Sequence, residues 1–111
     1  MIMTVKELCE KTQIKILCCD ALTEREIKSV YCCDLLSVVM GKAPADCAWV
    51  TIMGNINAIA VAVLVDACCV IIADQAEVDP RALDKAVEQG VILLQSSLDI
   101  FNTAKLVDSL L

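Results

Sequence analysis

The sequence predicts one α/β domain, a mainly parallel sheet with flanking helices, and three observations carry that expectation. Apolar runs at residues 48–53, 69–73 and 91–94 have the length and near-continuous hydrophobicity of strands buried on both faces. The segments between and after them read as helices, so strand and helix alternate as in βαβ units. The chain has 111 residues, 59% of them hydrophobic, with only 3 Gly and 2 Pro. That is the size of one domain with one core, and too few chain breakers for linkers or disorder.

Taken in order, Thr4-Val-Lys-Glu7 has the form of a capping box, and Val5, Leu8, Cys9 and Thr12 then share one helical face. A first helix is expected to end near Thr12. Residues 14–18 alternate as a short strand, residues 20–25 are a polar connection, and residues 27–32 read as another strand. Asp34 stands as the N-cap of a helix over residues 35–42, closed by Gly41-Lys-Ala-Pro44. Residues 1–45 thus make a small α/β half and residues 46–111 a parallel β-α-β-α-β-α core, within a single domain spanning 1–111.

Residues 56–66 pull two ways. Ile59, Val61, Val63 and Val65 alternate with Ala and Leu as a strand would. Two parallel strands, however, need a crossover of about a dozen residues, usually a helix packed on the sheet, and that requirement predicts a helix. Being apolar nearly all round, it should be covered by the sheet and by either the N-terminal half or another subunit. Ala58 and Ala62, at i and i+4, permit a close approach. Asp79-Pro80 then opens a helix as N-cap and N1, Val78 and Leu83 are spaced as a hydrophobic staple, and Gly90 sits at C′. Ser96-Ser-Leu-Asp99 reads as a second capping box, followed by Ile100, Phe101, Ala104, Val107 and Leu111 on one face of a docking helix.

Bulk chemistry narrows the function. Fifteen acidic residues against nine basic ones give a net charge of -6, and no Lys/Arg cluster exists to neutralise a phosphate backbone, so nucleic acid is not an expected partner. Lys6, Glu7, Glu10 and Lys11 leave no apolar h-region for a signal peptide, and a cytoplasmic location is expected. The best apolar run falls short of the about 18 residues that a membrane span needs, so no membrane is expected either.

Eight cysteines include three adjacent pairs, Cys18-Cys19, Cys32-Cys33 and Cys68-Cys69. Adjacent cysteines make strained bridges, and reduced thiols serving as small core hydrophobes are the expectation. Zinc and iron-sulfur sites favour Cys-x-x-Cys or Cys/His spacings. The chain has neither that spacing nor any histidine, so no metal and no cofactor are expected.

In open parallel sheets ligands bind beyond the carboxyl ends of the strands, which here selects the loops at residues 51–57, 74–77 and 95–99. The candidate ligand-binding residues on them are Thr51, Gly54, Asn55, Asn57, Asp74, Ser96, Ser97 and Asp99. Gly54-Asn55 at a helix N-terminus suits an anion such as a phosphate or nucleotide. The same two residues also fit a tight turn and a cap. Asp34, Asp74 and Asp99 are carboxylates that could approach this edge and hold a divalent cation, but Asp99 is more simply a capping residue and Asp34 an N-cap. Ser96, Ser97 and Thr51 have no histidine to serve them as base, and no Ser-x-x-Lys or Gly-x-Ser-x-Gly pattern appears, so no catalytic residue is assigned and the chain is not expected to be an enzyme.

Gly54-Asn55, the apolar helix, Cys69-Val-Ile-Ile-Ala-Asp74, Val78-Asp-Pro80, the helix to Gly90, Val91-Ile-Leu-Leu and Ser96-Ser-Leu-Asp-Ile-Phe-Asn-Thr-Ala-Lys105 together resemble a DRTGG domain over roughly residues 48–110. Asp34-Leu-Leu-Ser-Val-Val-Met-Gly41 and Trp49-Val-Thr-Ile-Met-Gly54 resemble the stand-alone members of that family, which extends the resemblance to nearly the full chain. The family's Gly-Asp-Arg positions correspond to Gly54-Asn55-Ile56 and its Thr-Gly-Gly positions to Asp74-Gln75-Ala76, so one signature glycine stands. The resemblance implies a fold similar to the N-terminal, non-kinase domain of HPr kinase/phosphorylase, and no kinase activity, because that active site belongs to a separate P-loop domain. It also implies an accessory domain found beside kinase, acetyltransferase or CBS modules, and a larger partner that is a kinase or a hydrogenase-associated protein.

Three functions compete on this basis. The first is a non-catalytic regulatory or scaffold domain acting as a homodimer that docks a partner, in line with so apolar a composition. The second is a sensor of a nucleotide or other phosphorylated ligand at the carboxyl edge of the sheet. The third is a thiol-based metal or redox role for the cysteine pairs.

Overall fold

A computed structural model describes residues 3–111. In chain order the elements are β1 (Met3–Thr4), α1 (Val5–Lys11), β2 (Lys15–Cys18), a 3-10 turn (Asp20–Leu22), β3 (Glu26–Ile27), β4 (Ser29–Cys32), α2 (Leu36–Lys42) and β5 (Cys47–Thr51). They continue with α3 (Ile56–Val65), β6 (Cys69–Ile72), α4 (Pro80–Gln89), β7 (Leu93–Gln95) and α5 (Ile100–Ser109). β2, β7, β6, β5 and β4 form one sheet in that order. β4 to β7 are mutually parallel, and β2 closes one edge antiparallel to β7. The mainly parallel α/β architecture is therefore the one expected, and strands from the first 45 residues occupy both of its edges.

Side chains alternate across this sheet with the period of two that a strand imposes. Ala48, Val50, Ile71 and Leu94 point to one face, where they meet Val5 and Leu8 of α1 and Val107 of α5. Trp49, Val70, Ile72 and Leu93 point to the other, under Val39 of α2, Ala58, Ile59 and Ala62 of α3, and Ala82 and Ala86 of α4. The result is three layers with the sheet in the middle, and β5 and β6 are buried along their whole length. That burial explains why their sequences read as unbroken apolar runs.

The segment with conflicting signals is helical. α3 is capped by Asn55, whose Oδ1 accepts the Ala58 N–H at 2.9 Å, and it stops at Asp66 in left-handed backbone. Topology outweighed β-propensity here, since β5 and β6 are parallel neighbours and the chain must cross over between them. α3 lies against α2 and α4, so the N-terminal half does supply one of its flanks. α4 starts at Asp79 and Pro80 and ends at Gly90, whose φ of 70° is one that glycine adopts without strain. The capping box of α1 is also present, with Thr4 and Glu7 each accepting from the other's backbone.

Three local expectations are corrected. Residues 27–32 do not form one strand: Ile27 pairs with Met3 in a separate two-stranded ribbon, the Lys28 N–H donates to Asp46 O, and only Ser29–Cys32 enters the main sheet. Asp34 does not cap α2, whose N-cap is Leu35 without a side-chain bond, because the Asp34 carboxylate finds donors at the end of β5 instead. Ser96 does not open a capping box; Asp99 is itself the N-cap of α5, accepting the Asn102 N–H at 2.7 Å.

At the amino ends of β5 and β6 one side chain joins three segments. Arg25 Nη2 donates to Asp46 Oδ1, Asp66 Oδ1 and Asp66 O, each at 3.0 Å. Asp46 and Asp66 both adopt left-handed backbone there, and the Asp46 N–H donates to Asp66 O. The Arg25 hydrogen bond holds the Asp46 carboxyl below the usual carboxylate range. A depressed pKa in the folded state contributes stability that is present above the unfolded value of about 3.9 and lost as pH falls through the folded one. Arg25→Met is therefore expected to lower the urea midpoint at neutral pH and to flatten its fall between about pH 5 and pH 2, measured by denaturation at several pH values.

Candidate functional site

Because β5 and β6 are parallel, the loops leaving their carboxyl ends stand side by side. They flank an open cleft of about 840 Å3 lined by Ile52, Met53, Gly54 and Asn55 from one loop and residues 77–80 from the other. Its floor is backbone against backbone. Gly54 pairs with Val78 in a parallel bridge, and the Asp79 N–H donates to Gly54 O at 2.8 Å. A Cβ at position 54 would lie 2.6 Å from Glu77 O and 2.9 Å from Val78 Cα. The glycine is required by this approach rather than by the tight turn expected of it, since only Gly90 among the glycines has positive φ.

The eight candidate residues divide into two groups. Gly54 and Asn55 line the cleft, and Asn57 is exposed on the first turn of α3. The Asn55 side chain is already engaged with Ala58, so it acts as the cap that sequence allowed. Thr51 is wholly buried at the end of β5. Its Oγ1 donates to Asp34 Oδ1 at 2.5 Å, and that carboxylate oxygen also accepts the Ile52 N–H at 3.1 Å. Asp34 thus ends the strand at Thr51 and fixes the loop that forms one wall of the cleft.

Asp74, Ser96, Ser97 and Asp99 gather instead over the ends of β6 and β7, outside the cleft. The Asp74 N–H donates to Leu98 O at 2.7 Å and the Gln75 N–H to Ser96 O at 3.0 Å. Ser96 is buried, with its Oγ 2.8 Å from Thr103 Oγ1 and accepting the Leu98 N–H. Ser97 is exposed, and Asp99 is occupied in capping α5. The three acidic residues weighed for a cation are therefore spent separately, and no group of three or more His, Cys, Asp or Glu converges among the described residues. Asp74 and Gln75 hold φ of 60° and 48°, the left-handed region that glycine favours. The resemblance places the Thr and first Gly of the Thr-Gly-Gly box at these two positions, and Gln75 holds a left-handed backbone there without being glycine.

Ile52, Met53 and Glu77 lie in loops that the sequence selected without naming them as candidates, and Val78, Asp79 and Pro80 lay outside those loops. Val78-Asp-Pro80 was legible as a helix start, and nothing local to it signals a contact with Gly54 more than twenty positions earlier. The cleft is acidic at its rim. Glu77 is exposed, and Asp79 pairs with Arg81 at 2.9 Å, which holds the Asp79 carboxyl below the usual range and raises the Arg81 guanidinium.

Fold and site define a three-layer α/β domain with an open cleft at the carboxyl edge of its parallel strands. The sequence profile of the DRTGG domain matches residues 7–110, and this chain belongs to the DRTGG domain family. No curated protein matches the sequence. In fold the chain is similar to the CBS and DRTGG domains of the regulatory region of a Clostridium perfringens pyrophosphatase, a structure solved with its activator, diadenosine tetraphosphate. The TM-score is 0.75 at 8% identity, over 96% of this chain and 46% of that one, so the chain spans about half the length of that structure.

Two variants separate the loop constraints. Gly54→Ala should lower stability by about 1–3 kcal/mol, because the contact atoms are backbone and cannot step aside. Gln75→Gly should leave stability unchanged or raise it by up to about 1 kcal/mol, since relief of the left-handed conformation offsets the added freedom of the unfolded chain. Urea denaturation of both variants against the parent reads these differences.

Proposed function

We propose that this chain is a non-catalytic regulatory or scaffold domain that works as a homodimer and docks a larger protein. The observation that carries this reading is the outward face of α3. The helix has no charged residue in ten, and its Val63 and Leu64 side chains are 44% and 68% exposed. A solvent face of a small domain ordinarily carries charge, and an uncharged apolar one suits a protein contact. Met40 of the adjacent α2 is exposed as well. Membership of the DRTGG family supports the regulatory part, as does the regulatory setting of the pyrophosphatase relative. The larger partner in this reading is a kinase or a hydrogenase-associated protein, as the resemblance implies. Light scattering of the pure chain is expected to give twice the monomer mass at high micromolar concentration, and Leu64→Glu to return it to one chain with its circular dichroism unchanged. A strictly monomeric parent at that concentration would remove the homodimer.

The cleft favours a second reading, a sensor of a nucleotide or other phosphorylated ligand. It lies where parallel sheets hold ligands, and the pyrophosphatase relative was solved with a nucleotide activator. Electrostatics set a condition on it. Glu77 and Asp79 repel phosphate, and Arg81, which lies just outside the lining, is engaged with Asp79. A nucleotide would have to draw Arg81 away. Diadenosine tetraphosphate at about a hundred times its dissociation constant should stabilise the folded chain by about 2.7 kcal/mol in a thermal-shift assay. Glu77→Gln should strengthen that effect and Arg81→Gln abolish it; no shift with any nucleotide tested eliminates the sensor.

A further inference from the structure

β2 is an edge strand, and its pairing with β7 shifts by one residue between Ile16 and Cys18. Neighbouring residues of a regular strand point to opposite faces, which would separate the sulfurs of Cys18 and Cys19. The chain instead leaves β2 through left-handed backbone at Cys19, with φ 68°, and the two Sγ atoms come to the same side, 3.5 Å apart. Both cysteines are half-buried, so solvent reaches them. The other adjacent pairs lack this combination. Cys68 and Cys69 are fully buried, and Cys32 is exposed while Cys33 packs against the core cluster under the α2–α3 layer.

The spacing discriminates between two chemistries. A disulfide needs about 2.05 Å between sulfurs and usually at least about 4.4 Å between Cα atoms. Adjacent Cα atoms are held about 3.8 Å apart by a trans peptide, so closing this pair would be strained. Two thiolates bound to one centre at about 2.3 Å, with an angle between about 95° and 110°, stand roughly 3.4–3.8 Å apart. The observed 3.5 Å falls in that range. Thiolates also prefer soft centres over hard ones. No set of three or more His, Cys, Asp or Glu converges anywhere among the described residues, so a tetrahedral ion would find only half its ligands here. A trivalent centre that carries its own substituent needs two.

We propose that Cys18 and Cys19 form a two-thiolate site for a soft trivalent centre, an organoarsenical or its antimony equivalent. With an arsine oxide, two S–H bonds and the As=O bond break and two As–S bonds form. The oxygen leaves as one water carrying both thiol protons, and arsenic stays trivalent. Before reaction the Cys18 Sγ donates to Val91 O at 3.5 Å, and the one Cys19 S–H is shared between Cys18 Sγ at 3.5 Å and Ala86 O at 3.7 Å. Burial, reinforced by Cys19, pushes the Cys18 thiol up to about 11, so at neutral pH it enters protonated, as this balance requires. Bridging the sulfurs ends their bonds to the last turn of α4 and to the segment entering β7, which links occupancy of the site to that end of the domain.

The test is intact-mass spectrometry of the full, folded chain, reduced and kept without oxygen, with one equivalent of phenylarsine oxide. One adduct per chain is expected, reversed by a dithiol and not by a monothiol. Cys18→Ser and Cys19→Gly should each weaken binding about a hundredfold through loss of the intramolecular second thiol, and Cys32→Ser should leave it unchanged. Glycine suits the backbone at position 19, so Cys19→Gly keeps the test valid should the serine variant misfold. An adduct that survives in Cys19→Gly, maps to another pair or never forms on the folded parent would overturn the site. Cadmium alone held as tightly as the arsenical, and lost with the same variants, would overturn its trivalent assignment.

Discussion

Burial of β5 and β6 on both faces is the constraint from which the other features follow. Two short apolar strands, covered by α1 and α5 on one side and by α2, α3 and α4 on the other, have their register fixed, because a slip of one residue would exchange the two cores. Parallel pairing then makes the two ends of the sheet chemically different. The amino ends are pinned by Arg25 against Asp46 and Asp66, and the carboxyl ends feed the loops that meet at Gly54 and Val78.

Much of this was legible in the sequence wherever the signal was local. Thr4 with Glu7, Asp79 with Pro80, and Gly90 each mark a helix end through bonds made within a few residues, and each stands where it was read. α3 was legible for a different reason, since its own propensity pointed to a strand and only the geometry of a parallel crossover argued for a helix. The misreadings at Ile27 and Asp34 involve partners distant in sequence, and the one at Ser96 a partner seven residues on. Asp34 has an acceptable capping position beside α2, yet its carboxylate bonds Thr51 and Ile52 across the sheet. Ser96 similarly turns inward to Thr103, and Asp99 takes the cap.

The same distinction governs the candidate site. Gly54 and Asn55 were identifiable from composition and position, but the role of Gly54 depends on a backbone contact with Val78 that no local pattern announces. Ser96 and Asp74 were selected by the rule that parallel strands present their carboxyl ends together, and they do lie at that edge. What the rule does not resolve is which neighbouring strands part to leave a cleft: the opening lies between the loops after β5 and β6, whereas the loops after β6 and β7 are laced shut by Asp74 and Gln75.

Under the sensor reading proposed for the cleft, the contact of Gly54 with residues 77 and 78 also bears on how selectivity could vary. A cleft floored by main chain offers every occupant the same peptide surface, so discrimination among occupants passes to the walls, where Ile52, Met53 and Glu77 stand. Exchanging those three would alter size, polarity and charge while the scaffold beneath stayed as it is. Under the sensor reading, the preference of the cleft and the stability of the fold could thus be tuned separately, the first by its wall side chains and the second by Gly54.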